Sequence, residues 1–264
     1  MHIADAIING RDKSHPSGKT KMDIRRLIAG IAVALLTTVS THAQDPRDCG
    51  QVTDIDGNVY QTVRIGDECW MRENLRVTRY ADGSAVKPEP AKPYNDQHFV
   101  TRYGLLYTWN SVMNGSDPTE ETDGRVQGPC PDGWHVPSNF EWMGLEDFVG
   151  YKDYYRCGTD VNNVAKALSS SDGWFFDFNT KGADCCIIEN TETNNSTGFS
   201  ALPAGSVWNG LPEGFGTDAG FWTCSEGSEE TSPIHRFYYT NATVEINCTP
   251  KDAFYSLRCV KNKL

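Results

Sequence analysis

At 264 residues, with 24 Lys/Arg against 35 Asp/Glu, the chain carries a formal charge of −11. Residues 1–43 hold six Lys/Arg and three Asp/Glu, which leaves −14 for the remainder. That balance argues against nucleic acid or an anionic membrane as partner, because both need basic patches, and the length allows one large domain or two small ones.

Lys21, Arg25 and Arg26 precede the thirteen-residue apolar run LIAGIAVALLTTV (Leu27–Val39), and STHA then ends at Ala43. A basic segment, an apolar run of that length and a small residue at the cut match a secretory signal peptide, with Met22 as an alternative start. Thirteen residues are too few to span a bilayer as a helix. No Cys follows within lipobox distance, which argues against a lipid anchor. The expected mature chain is a single domain, 44–264, exported through the Sec pathway to the surface or medium, with no membrane insertion once the signal is removed. All nine Cys lie after the cut. In an exported protein they read first as disulfides with one left over; a Cys metal site lacks the spacing, since no CxxC occurs.

Along the mature chain, Asp56-Gly57 separates VTDI from NVYQTVRI, where Val59, Val63 and Ile65 share one parity, and this predicts a hairpin with a two-residue turn. Gly66-Asp67 marks a second turn before CWM. KPEPAKPY (Lys87–Tyr94) is a surface loop, and YGLLYTWNSV (Tyr103–Val112) is either strand or short helix. In CPDGWHVPSNFEW (Cys130–Trp142), Ser138 and Glu141 form a capping box, with Pro137 and Trp142 at the staple positions. Trp142, Leu145 and Val149 then recur at i, i+3, i+7 until Gly150 ends the helix. A second helix is expected from Asp160 to Ser169, on Val161, Val164, Ala165 and Leu168. GWFFDF, GFSALPAGSVW, GFWTC, HRFYYT, TVEIN and YSLRCV then read as short strands, so the pattern predicts an α+β domain.

Six ordered blocks carry a resemblance: DIDGNVYQTVRIGDECWMRENL (Asp54–Leu75), YGLLYTW (Tyr103–Trp109), CPDGWHVPSNFEW, GFSALPAG (Gly198–Gly205), GFWTCSE (Gly220–Glu226) and SLRCVK (Ser256–Lys261). The chain resembles the Fibrobacter succinogenes major paralogous domain of exported Fibrobacter and Bacteroidetes proteins. That domain is in turn similar to the C-type lectin-like fold, in which formylglycine-generating enzymes carry a comparable RLP-x-E-A-E-W block. The resemblance implies a disulfide-braced α+β domain with two helices, twisted, mostly antiparallel sheets and long ligand-bearing loops. It also implies a Cys130–Cys259 disulfide, closing a loop of about 130 residues and stabilising by roughly a few kcal/mol. Weaker expectations pair Cys224 with Cys248, Cys49 with Cys69, and Cys157 with Cys185 or Cys186. The sequence departs from the family in placing Thr223-Cys224 where a Ser pair is usual; Cys157, Cys185, Cys186, Cys224 and Cys248 look like additions of this member.

The candidate sites follow. His135 has the chemistry of a base or ligand, though a satisfied core imidazole is the commoner case, and Glu141 is occupied by capping. Neither Cys185-Cys186 nor Cys224 with Cys248 resembles the reactive pair of a formylglycine-generating enzyme. Lectin-type calcium sites use EPN or QPD with WND; here only Trp208-Asn209-Gly210 partly matches. Asp117, Glu120, Glu121 and Asp123 crowd one loop, either as calcium ligands or as a solvated acidic loop; calcium is the one cofactor in view. The late loops and strands hold Trp208, Asn209, Phe215, Asp218, Phe221, Trp222, Glu226, His235, Tyr238, Tyr239 and Asn241. Aromatic planes beside short polar groups suit a sugar, while for the Trp residues a place in the core of a compact sheet is the commoner case. The expectation is a non-catalytic recognition module for a glycan or surface protein. The alternatives are a self-associating structural subunit and a formylglycine-generating-like oxidoreductase.

Overall fold

Two antiparallel hairpins in succession start the fold, in a computed structural model that describes residues 47–122, 126–175 and 179–263. Strands β1 (Gln51–Thr53), β2 (Val59–Ile65) and β3 (Glu68–Met71) lead to the short helix α1 (Val100–Tyr103), β4 (Tyr107–Thr108) and helix α2 (Trp109–Met113). Strand β5 (Trp134–His135), helix α3 (Asn139–Gly150) and the single turn α4 (Ala165–Leu168) follow. The C-terminal part adds β6 (Ser206–Trp208), β7 (Leu211–Glu213), β8 (Asp218–Trp222), β9 (Thr231–Tyr238), β10 (Val244–Pro250), β11 (Phe254–Tyr255) and β12 (Val260–Lys261).

These strands form three sheets, ordered β1-β2-β3-β12-β5, β4-β11-β6-β7 and β10-β9-β8. Every strand pairing within them is antiparallel. The molecule is therefore β-rich, and the expected two-helix, C-type lectin-like α+β fold is overturned. Among the described residues only α3, at twelve residues, is a helix of more than five. The second expected helix shrinks to α4 because its first half is captured by turns. The Asp160 carboxylate accepts from the Asn162 amide at 2.9 Å, and the Asp160 carbonyl takes the Asn163 amide. Asp and Asn side chains compete with a helix in this way.

Helix α3 begins as expected: Ser138 caps the Glu141 amide and Glu141 reaches back to the Ser138 amide at 2.8 Å. Trp142, Leu145 and Val149 are buried on its inner face. Gly150 closes it through close approach, since a Cβ there would lie 2.0 Å from the Val161 carbonyl oxygen. The Gly66-Asp67 turn is the two-residue turn anticipated, with Ile65 paired to Glu68. The first hairpin has a longer loop than Asp56-Gly57 suggested, because Asp54 Oδ1 accepts the amides of both Asp56 and Asn58 at 2.9 Å. Val59, at the mouth of that loop, is exposed, whereas Val63 and Ile65 are buried.

Three disulfides join Cys49–Cys69, Cys130–Cys259 and Cys157–Cys185. Cys130–Cys259 fastens the segment before α3 to the approach of β12. The Cys224–Cys248 pairing is not made: both are free thiols, as is Cys186. Cys224 follows β8 and Cys248 lies on β10, with β9 between them. Two strand spacings amount to about 10 Å, beyond the Cα separation of about 7 Å that a disulfide reaches. Among the described residues no helix is long and apolar enough to cross a membrane; the segment expected to be a signal peptide lies outside them.

Candidate functional site

Two exposed aromatic side chains, Trp208 and Tyr94, meet at the β6–β7 hairpin, while Phe140, Tyr151 and Tyr154 are exposed on and just after α3. Trp208 pairs with Leu211 across a two-residue turn, Asn209-Gly210. Both turn residues have positive φ, 50° and 75°, the combination that Asn-Gly supplies at least strain and that matches strand twist. Alternation sends Val207 inward, against Leu106 and Ala204. It leaves Trp208 43% and Leu211 64% exposed as a cross-strand pair.

A second segment lies against both strands of this hairpin. Tyr94 and Asn95 have positive φ, 52° and 56°, which is unusual for a bulky aromatic residue. Tyr94 is 60% exposed, its ring centroid 5.6 Å from that of Phe215. Phe215 packs in turn on Phe99 at 4.6 Å and Tyr103 at 4.9 Å. Asn95 Nδ2 donates to the Gly210 carbonyl at 3.4 Å, tying the two segments together. The outcome is a ledge of Trp208, Leu211 and Tyr94, flanked by Asn95 and Asn209 and propped from below by Phe215. Strained backbone of this kind gathers where a surface is shaped for contact.

The remaining candidates are elsewhere. Phe221, Trp222 and His235 are fully buried, which corrects their assignment to a binding face. β8 is covered on both sides, so neighbouring residues both turn into core. Phe221 meets Trp142 at 5.3 Å, and Trp222 donates through Nε1 to the Tyr107 carbonyl at 2.7 Å. Asp218 is held by Arg236 Nε at 2.6 Å and Glu226 by Lys251. Tyr238 stacks edge-on against Tyr239, and Asn241 donates to Glu245. These polar groups serve the three-stranded sheet rather than the ledge. Asn209-Gly210 is the signal that marks the hairpin in the sequence; Tyr94 and Leu211 carried none.

Asp117, Glu120 and Glu121 line one shallow recess with Thr119, whereas Asp123 lies outside the described residues. Among the described residues, no three His, Cys, Asp or Glu are grouped to hold a metal ion. Within Cys130–Trp142, Glu141 is engaged on both oxygens: Oε1 faces His135 Nε2 at 2.8 Å and Oε2 accepts the Ser138 amide. Burial pulls the His135 pKa down, but the hydrogen bond and charge of Glu141, with Asn262 and Glu68 behind them, raise it overall. Burial, with the charges of Glu141 and Glu120, pushes the Cys224 thiol up to about 12, so near neutral pH it is protonated and not a nucleophile.

Residues 63–261 match the family described as the Fibrobacter succinogenes major domain. No curated protein and no solved structure matches the chain.

Proposed function

Since the chain belongs to the Fibrobacter succinogenes major domain family, we propose that this member is an exported, non-catalytic recognition module that binds a glycan through the β6–β7 ledge. The observation that carries this reading is the exposure of Trp208, Leu211 and Tyr94 on a shaped, non-core surface. Flat aromatic faces stack on the apolar faces of sugar rings, and the short Asn95 and Asn209 amides meet hydroxyls. Three disulfides suit an oxidising compartment outside the cytoplasm. The test is a glycan array probed with the purified mature chain, with and without EDTA. Saturable binding that Trp208→Ala and Tyr94→Ala abolish supports the reading, and the EDTA arm decides the calcium requirement. Binding that survives both substitutions, or an array with no hits, sinks it.

Self-association as a structural subunit is favoured by a different observation. β10 is an outer strand of its sheet, and Ile246 and the Cys248 thiol are exposed along it. Open strand edges of this kind pair with further strands. Light scattering of the purified chain, with and without reductant, separates this role from glycan binding: concentration-dependent assembly supports it, and a monomer at all concentrations removes it.

A further inference from the structure

Helix α3 is gripped from two sides by buried histidines. On one side His135, in β5, sits between Glu141 Oε1, 2.8 Å from Nε2, and Asn262 Oδ1, 2.8 Å from Nδ1. On the other, His235, in β9, sits between Glu146 Oε1, 2.6 Å from Nδ1, and Asn139 Oδ1, 3.0 Å from Nε2. The His235 ring also stacks on Trp142 at 5.0 Å and 12°. Glu141, Glu146, Asn139 and Trp142 all belong to α3, so both rings clasp the same helix. A neutral imidazole offers one N–H and one lone pair, whereas each ring here faces an oxygen at both nitrogens. A carboxylate has no proton to give in return. Only the Asn amide can turn and present its NH₂ to a deprotonated ring nitrogen.

We propose that α3 is held by a two-histidine clasp whose His135 half is proton-dependent: that ring, as imidazolium, bridges the Glu141 carboxylate and the Asn262 oxygen, and this half loosens as the medium turns alkaline. The His135 half ties α3 to the segment after β12 through the Asn262 side chain, and the Asn262 backbone amide is itself anchored to the Gly133 carbonyl at 2.9 Å. The His235 half ties α3 to β9. Around His135 the charged groups are Glu141 on α3 and Glu68 on β3, the latter paired with Lys263 at 2.6 Å. Around His235 the charged group is Glu146; the other contacts are the Asn139 amide, the Trp142 indole and, on neighbouring strands, Phe221 and Ile246. Arg236, next in sequence, points to Asp218. The raised pKa of His135 fits this arrangement. A group raised on folding adds stability that is complete below its unfolded pKa of about 6.5 and is lost as pH climbs through the folded value.

The test is a long-range ¹H–¹⁵N titration of the histidine-labelled full mature chain between pH 5 and 9, read beside thermal midpoints. The expected result is a His135 ring doubly protonated at pH 6 and a thermal midpoint that falls between pH 6 and 9. His135→Gln should flatten that fall, and His235→Gln, which removes the other grip on α3, should lower the thermal midpoint. Asn262→Asp, which places a second carboxylate on His135, should raise its titration midpoint by about one pH unit, and Asn262→Ala should lower it. Should the histidine variants fail to fold, the wild-type and Asn262 titrations decide. A neutral single tautomer of His135 at pH 6, or a His135 midpoint unmoved by Asn262→Asp, overturns the clasp.

Discussion

Arg258 Nε donates to Asn74 Oδ1 at 2.9 Å, with both side chains sealed inside the protein. The same guanidinium donates to the Phe199 carbonyl and, at 2.6 Å, to the Ser200 carbonyl. It lies over the Phe199 ring at 4.4 Å and the Phe221 ring at 5.3 Å. Burial draws its pKa down to about 9, against the attraction of Glu73. No carboxylate hydrogen-bonds to it among the described residues; carbonyl dipoles and aromatic faces hold the charge instead. Asn74 passes the connection on, donating to the Tyr103 carbonyl at 2.9 Å. One side chain near the C-terminus thus fastens the 199–200 loop to the segment after β3.

Arg258→Lys keeps the charge but not the planar fork, so the three acceptors cannot all be met. Each acceptor left unpaired in the interior costs about 1–3 kcal/mol. The expected loss is roughly 2–4 kcal/mol for Lys, and more for Met, measured as a shift in denaturant midpoint at constant m-value. A variant within about 0.5 kcal/mol of wild type would show that the guanidinium is not a fastening at all.

The disulfides should contribute unequally. Cys130–Cys259 spans a sequence separation of 129 and Cys49–Cys69 one of 20. On the chain-entropy account the longer loop is worth about 1.6 kcal/mol more. Paired Cys→Ala substitutions of each bridge, compared by chemical denaturation, should therefore rank Cys130–Cys259 as the costlier loss. The opposite ranking would mean that native contacts, not the unfolded chain, set the difference.

Helix α3 could be read from the sequence because its signals are local: a capping box at Ser138 and Glu141, then three apolar residues at helical spacing. The sheets could not. β4, β5, β11 and β12 are two residues each, too short for any period, and their pairing depends on distant segments. The same non-locality misled the Cys224–Cys248 expectation, since strand order, not sequence proximity, places β9 between them. It also blurred the candidate site. Trp208 and Trp222 stand in similar Gly-rich aromatic surroundings, yet one is on a hairpin tip and the other in a strand covered on both faces. The family itself was legible in the six motif blocks; the lectin-like fold attached to it was not what these residues build.

Those two tryptophans offer a direct comparison. Trp222→Ala removes a fully buried ring and a hydrogen bond to Tyr107, and should cost about 3–5 kcal/mol. Trp208→Ala, on the exposed ledge, should change stability by less than about 1 kcal/mol while removing at least tenfold in affinity for any glycan found. Thermal melts and titration calorimetry on both variants separate the two roles. Equal destabilisation would place Trp208 in the core and dissolve the ledge as a binding surface.

The three free thiols should differ in reactivity by orders of magnitude. Cys248 is exposed on the outer strand β10, while Cys186 and Cys224 are buried. The Cys224 pKa near 12 leaves almost no thiolate at neutral pH. Its Sγ also sits 3.5 Å from the Thr119 carbonyl, to which it donates. Alkylation of the native chain at pH 8, followed by mass spectrometry, should label Cys248 first and alone. Cys186 and Cys224 should react only after denaturant opens the core. Because alkylated Cys248 can no longer oxidise against a second copy, the same sample also tests the structural-subunit reading. If assembly in the absence of reductant survives full labelling, self-association does not depend on the thiol, and the open edge of β10 must carry it through backbone pairing.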